Sequence, residues 1–280
     1  MCAMRSIDGR AIAKTISAEV SSAATQLSFE GITPTLAVVV PTRDESTAWY
    51  VRSIERTAAR VGVTCRTVRL EDPSGDELAR QLDVLSRDDS VHGIICQTPL
   101  PNGVTLTQMG EHIDVDKDID GANPASLGRL AAGVDTFAPA TAAAVTEILR
   151  REEIPLAGKQ VVIVGRSTVV GKPAALLLLN ENATVTVCHS RTEDLAQVCA
   201  RADVVVAAVG KAHMITREYV APGAVVIDVG TNPTDDGLVG DVDLDSMREV
   251  ISAATPVPGG VGPVTTIQLM QHTVRAAANV

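Results

Sequence analysis

QVVIVGRSTVVGKP, Gln160–Pro173, decides the fold, because an unbroken apolar run stops at Gly165 and a short polar turn leads to Gly171 and Pro173. A run this short, rich in β-branched residues and closed by glycine, predicts a strand buried on both faces of a parallel sheet. Pro173 stands where the first turn of a helix tolerates a missing N–H. A strand that passes through a glycine turn into a helix start presents free backbone N–H groups and the positive end of a helix dipole, which suit a pyrophosphate. The spacing departs from G-x-G-x-x-G, so the glycine pair alone fits any tight βα turn as well as a dinucleotide site.

The same rhythm continues downstream through ATVTVC (Ala183–Cys188), ADVVVAAVG (Ala202–Gly210) and GAVVIDVG (Gly223–Gly230), with helices or turns between them. This half predicts one doubly wound, Rossmann-type sheet. Upstream, TLAVVV (Thr35–Val40) and VHGIIC (Val91–Cys96) alternate with helical stretches such as Ser46 to Val61, which predicts a second α/β unit. GVDTFAPAT, Gly133–Thr141, places Gly and Pro between the two series and marks a boundary. Pro256–Pro263, PVPGGVGP, is too rich in Gly and Pro for regular structure, and a helical period comes after it. The expected organisation is a catalytic α/β domain over 1–139, completed by a returning helix over 262–280, and a dinucleotide-binding domain over 140–261.

A net charge of -10 with no Lys/Arg-rich run excludes nucleic acid and anionic membranes as partners. The 5 cysteines are widely spaced and form no CxxC, so neither a metal site nor a disulfide framework is predicted, and the compartment is expected to be reducing and cytoplasmic. The start, MCAMRSIDGR, has no signal-peptide core, and no apolar stretch reaches the roughly 18 residues needed to span a bilayer. A soluble enzyme acting on a small molecule fits these limits. Aromatic side chains make up only 2% of the chain, which singles out the adjacent Trp49 and Tyr50.

The strand ATVTVC runs into His189, Ser190 and Arg191, about where an NAD enzyme offers a carboxylate to the adenosine ribose. No carboxylate stands at that turn. Arg166, Ser190 and Arg191 are donors suited to a 2′-phosphate, which an Asp would repel, so the cofactor read from these residues is NADP.

Taken in order, YVRSI (Tyr50–Ile54), GIICQTPLP (Gly93–Pro101), DIDGAN (Asp118–Asn123), GRSTVVGKP, CHSRT, VIDVG and PGGVGP (Pro258–Pro263) resemble the methylenetetrahydrofolate dehydrogenase/cyclohydrolase family over nearly the whole chain. The QTPLP, DIDG and PGGVGP segments carry most of that specificity. The resemblance implies reversible hydride transfer from 5,10-methylenetetrahydrofolate to NADP, giving 5,10-methenyltetrahydrofolate, which many relatives then hydrolyse. It implies that Tyr50 lies against the folate rings, that Asp120 holds the pterin and that Gln97 sits beside the reacting carbon. It also implies that Pro258, Gly259 and Gly260 help bind the substrate, and that Gly165, Arg166, Ser167, Gly171, Ser190, Arg191 and Thr231 line the NADP site. A homodimer formed through the cofactor domains is implied by the same resemblance. These roles suit the residues chemically: Tyr50 offers a flat face, Asp120 an acceptor, and Gln97 an amide that holds a group without titrating.

The chain departs from the family pattern at Ile54, where the motif has the lysine that moves protons in the hydrolytic step. Tyr50 and Ile54 are four apart and share a helix face, so Ile54 is expected to face the folate site. Arg52 and Arg56 point elsewhere and stay protonated. Lys117 is the one lysine near Asp120 in sequence. Thr98 in QTPLP and Pro139–Ala142, PATA, where the family has leucine and PCTP, are further departures. The sequence predicts a dehydrogenase with weak or absent cyclohydrolase activity. It leaves open a bifunctional enzyme that uses Lys117, another group or water, a silent folate- or NADP-binding homologue, and an oxidoreductase for another substrate.

Overall fold

The structure, a computed structural model, describes residues 4–235 and 237–279. Along the chain run β1 (Arg5–Ser6), α1 (Gly9–Phe29), β2 (Thr35–Val40), α2 (Glu45–Val61), β3 (Thr64–Arg69), α3 (Gly75–Ser86) and β4 (Gly93–Cys96). Short helices α4 (Leu106–Gly110) and α5 (Pro124–Ala131) precede α6 (Ala140–Arg151), β5 (Gln160–Val164), α7 (Gly171–Asn180), β6 (Thr184–Cys188), α8 (Leu195–Cys199) and β7 (Val204–Ala207). Then come β8 (Val225–Asp228), the hairpin strands β9 (Asn232–Thr234) and β10 (Gly237–Val239), β11 (Ala253–Ala254) and α9 (Val261–Ala277). The chain divides into two compact units. One gathers Lys14–Ala140 with the chain from Thr266 onward, and the other gathers the residues up to Ala13 with Thr141–Thr265.

The first unit is built on a parallel sheet in the order β3-β2-β4. Its central strand β2 is closed off on both faces, which is why its sequence reads as an unbroken apolar run and not as an alternation. Helix α2 starts at Asp44, whose side chain accepts from the Thr47 N–H, and stops at Gly62 in the left-handed region (φ 78°). Its inward stripe is Thr47, Val51, Ile54, Ala58 and Val61, the three- and four-residue spacing of an amphipathic helix. Helix α3 begins in a reciprocal Ser74/Glu77 cap and buries Leu78, Leu82 and Leu85 in one core with Ala37, Val39 and Ile94. Helix α9 lies so close to β4 that a Cβ on Gly93 would stand 2.9 Å from Thr273 Oγ1, and the loop residue Ile119 closes in as well, its Cγ1 at 3.0 Å.

The second unit holds a parallel sheet in the order β1-β11-β8-β7-β5-β6. From β5 the chain passes to the edge strand β6 and returns to β7 on the other side of β5. That reversal is the topological switch point at which open α/β sheets bind ligands, beyond the carboxyl ends of the strands. In one respect the observed units differ from the sequence boundaries, which gave 1–139 to a single domain. The residues up to Ala13 join the six-stranded unit, because Arg5 N–H donates to Ser252 O at 2.9 Å and Ile7 N–H to Ala254 O at 2.8 Å. A strand of two residues has no period to read. Among the described residues no helix is long and apolar enough to cross a membrane.

Candidate functional site

In the three-stranded unit Gln97 follows the carboxyl end of β4, Tyr50 lies on α2, the helix after β2, and Asp120 lies in the loop between α4 and α5. Gln97 extends β4 by one residue, its N–H donating to Val39 O at 2.9 Å, and keeps part of its surface exposed. The first turn of α2 is tied to the next residue, since Thr47 Oγ1 donates to Thr98 O at 2.7 Å. The DIDG turn is organised by its first aspartate. Asp118 is wholly buried and accepts from Ala122 N–H (2.8 Å), Asn123 N–H (2.9 Å) and Ser126 Oγ (2.6 Å). The second aspartate is partly covered: among the described residues Asp120 accepts only from Ala140 N–H, at 2.9 Å through Oδ1, where α6 begins.

Burial raises the Asp120 carboxyl to about 6, against the pull of the Ala140 N–H and with the nearby Asp118 adding to it. Burial, with the Asp120 charge beside it, also pushes the Tyr50 hydroxyl well above its ordinary value. The Asp120 charge thus reaches the Tyr50 hydroxyl, which sets the DIDG turn near this face of α2. A flat ring and a carboxylate held partly back from water can together receive a planar heterocycle that carries N–H donors.

Tyr50 and Ile54 lie one helical turn apart, as their spacing requires, but Ile54 is 0% exposed and belongs to the core stripe. Ile54 thus shares the Tyr50 side of α2 without any free surface of its own. Arg52 and Arg56 are exposed, with Arg56 Nε donating to Arg52 O at 3.1 Å. Lys117 does not reach back toward Asp120. Its amine donates to Asp88 O at 2.8 Å, ahead of β4, whereas Gln97 lies beyond the other end of that strand.

In the six-stranded unit, the turn after β5 is where the glycines are indispensable. Gly165 has φ 136°, and a Cβ on it would collide with the carbonyl oxygen of Ala208. A Cβ on Gly171 would collide with the Gly165 carbonyl, so the start of α7 folds back directly on the strand end. Ser167 Oγ accepts from Val170 N–H (3.1 Å) and Gly171 N–H (3.4 Å), which shapes the turn. Gly165 N–H donates to Cys188 O at 2.9 Å, setting this turn beside the end of β6. Arg166, Ser167, Ser190 and Arg191 are all exposed there, and among the described residues no ion pair engages either arginine. His189 is spent locally, its Nδ1 accepting from Arg191 N–H at 3.2 Å. Close-packed backbone at the switch point, with donors and cations around it, fits a dinucleotide bearing an extra phosphate.

Two aspartates that sequence reasoning did not single out shape the loops after β7 and β8. Asp241 accepts from Val209 N–H (2.6 Å), Gly210 N–H (2.9 Å), Lys211 N–H (2.9 Å) and Asn232 Nδ2 (2.9 Å). Asp228 accepts from Gly230 N–H (2.9 Å), Asp241 N–H (3.0 Å) and Val242 N–H (3.0 Å), and burial raises it to about 6. Thr231 is exposed on the loop these bonds fix. Their only signal in the sequence is Asp within VIDVG and GDVD, which reads equally as turn chemistry. Pro258, Gly259 and Gly260 also belong to this unit. Gly259 takes φ 108°, and a Cβ on it would meet the Arg10 guanidinium at 3.4 Å, a neighbour with no counterpart in the sequence pattern. A Cβ on Gly9 would collide with the Gly260 carbonyl. Among the described residues no group of three or more His, Cys, Asp or Glu side chains is placed to hold a metal.

Comparison with known proteins agrees over both units. Residues 7–120 match the model of the tetrahydrofolate dehydrogenase/cyclohydrolase catalytic domain, and residues 139–280 that of the NAD(P)-binding domain of the same family. The bifunctional protein FolD of Parafrankia sp. (strain EAN1pec) is 60% identical over 275 residues, covering 98% of this chain and 99% of the relative. Among solved structures, the bifunctional FolD methylenetetrahydrofolate dehydrogenase/cyclohydrolase of Campylobacter jejuni superposes with a TM-score of 0.96 at 38% identity, covering 99% of each chain. The Trypanosoma brucei methylenetetrahydrofolate dehydrogenase-cyclohydrolase, solved with NADP and an inhibitor, gives 0.94 at 36% identity and covers 100% of this chain and 99% of that one.

Proposed function

The chain belongs to the tetrahydrofolate dehydrogenase/cyclohydrolase family, and on that footing we propose that it oxidises 5,10-methylenetetrahydrofolate to 5,10-methenyltetrahydrofolate with NADP. The observation that carries this reading is the half-buried Tyr50 ring on α2 lying near enough to Asp120 of the DIDG turn to feel its charge. NADP, when bound, supplies the hydride acceptor. The residues have no proton to move in that step, so their work is placement. Tyr50 gives the pterin a flat face, the free oxygen of Asp120 accepts from pterin N–H groups, and the Gln97 amide orients the one-carbon bridge. Gly165, Gly171 and Ser167 shape the turn that takes the pyrophosphate, Arg166, Ser190 and Arg191 hold the 2′-phosphate, and Thr231 lines the same site. Pro258, Gly259 and Gly260 complete the substrate contacts. The active form is a homodimer, in keeping with the family resemblance.

The names of the relatives support a second activity, hydrolysis of the methenyl product, and this two-activity reading is the one the comparisons favour. One observation favours a different outcome for the second step. Ile54 stands at the position of the motif lysine with no exposed surface, and the Lys117 amine is engaged elsewhere, so neither supplies a proton carrier beside Tyr50. A paired assay tests both. Methenyltetrahydrofolate is monitored as it forms from methylenetetrahydrofolate with NADP or NAD, and its decay is timed against buffer alone. Enzyme-dependent decay supports the bifunctional reading, accumulation of the methenyl product supports the dehydrogenase alone, and better turnover with NAD refutes the roles given to Ser190 and Arg191.

A further inference from the structure

We propose that His272 is a positioning residue for the folate half-site: its Nδ1–H holds the Ile119 carbonyl and thereby fixes the peptide that carries Asp120. The inference rests on the folate reading of that half-site. His272 lies on α9, is 8% exposed, and has Nδ1 2.8 Å from Ile119 O. A carbonyl oxygen only accepts, so the proton of the neutral ring must sit on Nδ1. The ring is kept neutral by burial, which lowers its pKa to about 4.

One ring packs against it, and that ring is itself held in turn. The Phe137 ring lies 5.3 Å away, tilted by 44°, and the Arg275 guanidinium covers that ring at 4.2 Å. Arg275 Nη2 in turn donates to Thr136 O at 3.0 Å. One face of α9 thus binds the chain within the DIDG turn, at Ile119, and after it, at Thr136–Phe137. Asp120 itself spans the same gap, from the residue after Ile119 to the Ala140 N–H. The carboxylate that receives the pterin is therefore set by two anchors, Ala140 at its oxygen and His272 at its backbone. The Asp118 carboxylate is satisfied by the segment from Ala122 to Ser126, and its backbone carbonyl accepts from Gly121 N–H at 3.1 Å, so it closes the turn without touching the Ile119 carbonyl.

The test compares His272→Leu with His272→Asn, whose amide reaches about as far as Nδ1 and keeps a donor. His272→Leu is expected to raise the folate KM or lower kcat by about tenfold or more, the scale of a small misplacement of a binding group, with the NADP KM within about twofold. His272→Asn should restore most of the loss. A Leu variant that melts earlier yet keeps wild-type folate kinetics overturns the positioning role, as does an Asn variant no better than Leu. Nitrogen NMR of the wild-type chain keeps the idea testable if the variants do not fold. Protonation on Nδ1, with a shift on adding the folate substrate, supports it, and protonation on Nε2 overturns it. Absence of methylenetetrahydrofolate turnover by the wild-type chain is a separate result, which removes the folate reading itself.

Discussion

Ile54→Lys returns a titratable group to the turn after Tyr50, and its consequences can be worked out from the burial of that position. Ile54 is 0% exposed, so the change forfeits the burial of its side chain, about 1.5–3 kcal/mol. In a domain of this size that lowers the melting temperature by roughly 2–4 °C per kcal/mol. Desolvation lowers a buried ammonium from about 10.4 by up to about 3–5 units, toward the range in which an amine exchanges protons efficiently at neutral pH. With the folded pKa below the unfolded one, the unfolded chain binds more protons, so the stability deficit is largest at low pH and shrinks as pH rises. A positioned acid/base group contributes about 10²–10⁴-fold. Methenyltetrahydrofolate hydrolysis by the variant should therefore rise at least about 100-fold over wild type, measured as decay above the buffer rate. Its dehydrogenase rate with NADP serves as the check that the variant is folded. Two results refute the reasoning: wild-type chain that already hydrolyses far above buffer, or a folded Ile54→Lys variant that gains nothing.

Asp120→Asn removes a carboxylate whose folded pKa, about 6, lies above its unfolded value; that stability is complete at low pH and lost as pH rises through about 6. The variant should melt no lower than wild type at pH 7.5 and lose ground near pH 4, while its folate KM rises about tenfold or more. The wild-type folate KM should itself rise below about pH 6 as Asp120 takes up its proton and its free oxygen becomes a donor facing the pterin donors. Arg191→Ala should lower kcat/KM for NADP about ten- to a hundredfold, the worth of a hydrogen bond to a charged group, with the value for NAD nearly constant. Equal losses with both cofactors would contradict a 2′-phosphate contact. Asp241→Ala strips the shared acceptor from three loop N–H groups and Asn232, so denaturant unfolding should show a loss of at least about 2 kcal/mol together with weaker NADP binding. Unchanged stability would show that water replaces the carboxylate.

The inner parallel strands were legible because they are buried on both faces, so Thr35–Val40, Gln160–Val164 and Val204–Ala207 stand in the sequence as compact apolar runs between turn residues, whereas the edge strands β3 and β6 are largely exposed. Helix α2 was legible by its period, and the glycine turn by its place between a strand and a helix. Strand β1 was not, since two residues carry no period and its partner β11 lies some 250 positions away. The same holds for Asp228, Asp241 and His272, whose partners come from other loops or another helix. Each looks like an ordinary turn or helix residue until the chain is folded. Lys117 shows the opposite error: nearness to Asp120 in sequence suggested nearness in space, but the amine turns to Asp88. Ile54 stood out by its departure from the family motif, yet only the structure shows that the position is sealed into the core.

The pairing of β1 with β11 also bears on how the chain is made. Residues 5–6 leave the ribosome ahead of both sheets, but their strand partner at Ala253–Ala254 is synthesised long afterwards, and the three-stranded unit likewise waits for α9 to cover β4. Neither unit can reach its final packing while the nascent chain is still short of α9. Folding of both units must wait for the chain through α9, and contacts of such long sequence separation are slow to form. During synthesis the growing chain carries sheet edges that a chaperone, or a neighbouring nascent chain, can find first. A fragment cut at Ala140 would inherit that exposure permanently, with one sheet lacking its outer strand and the other its covering helix.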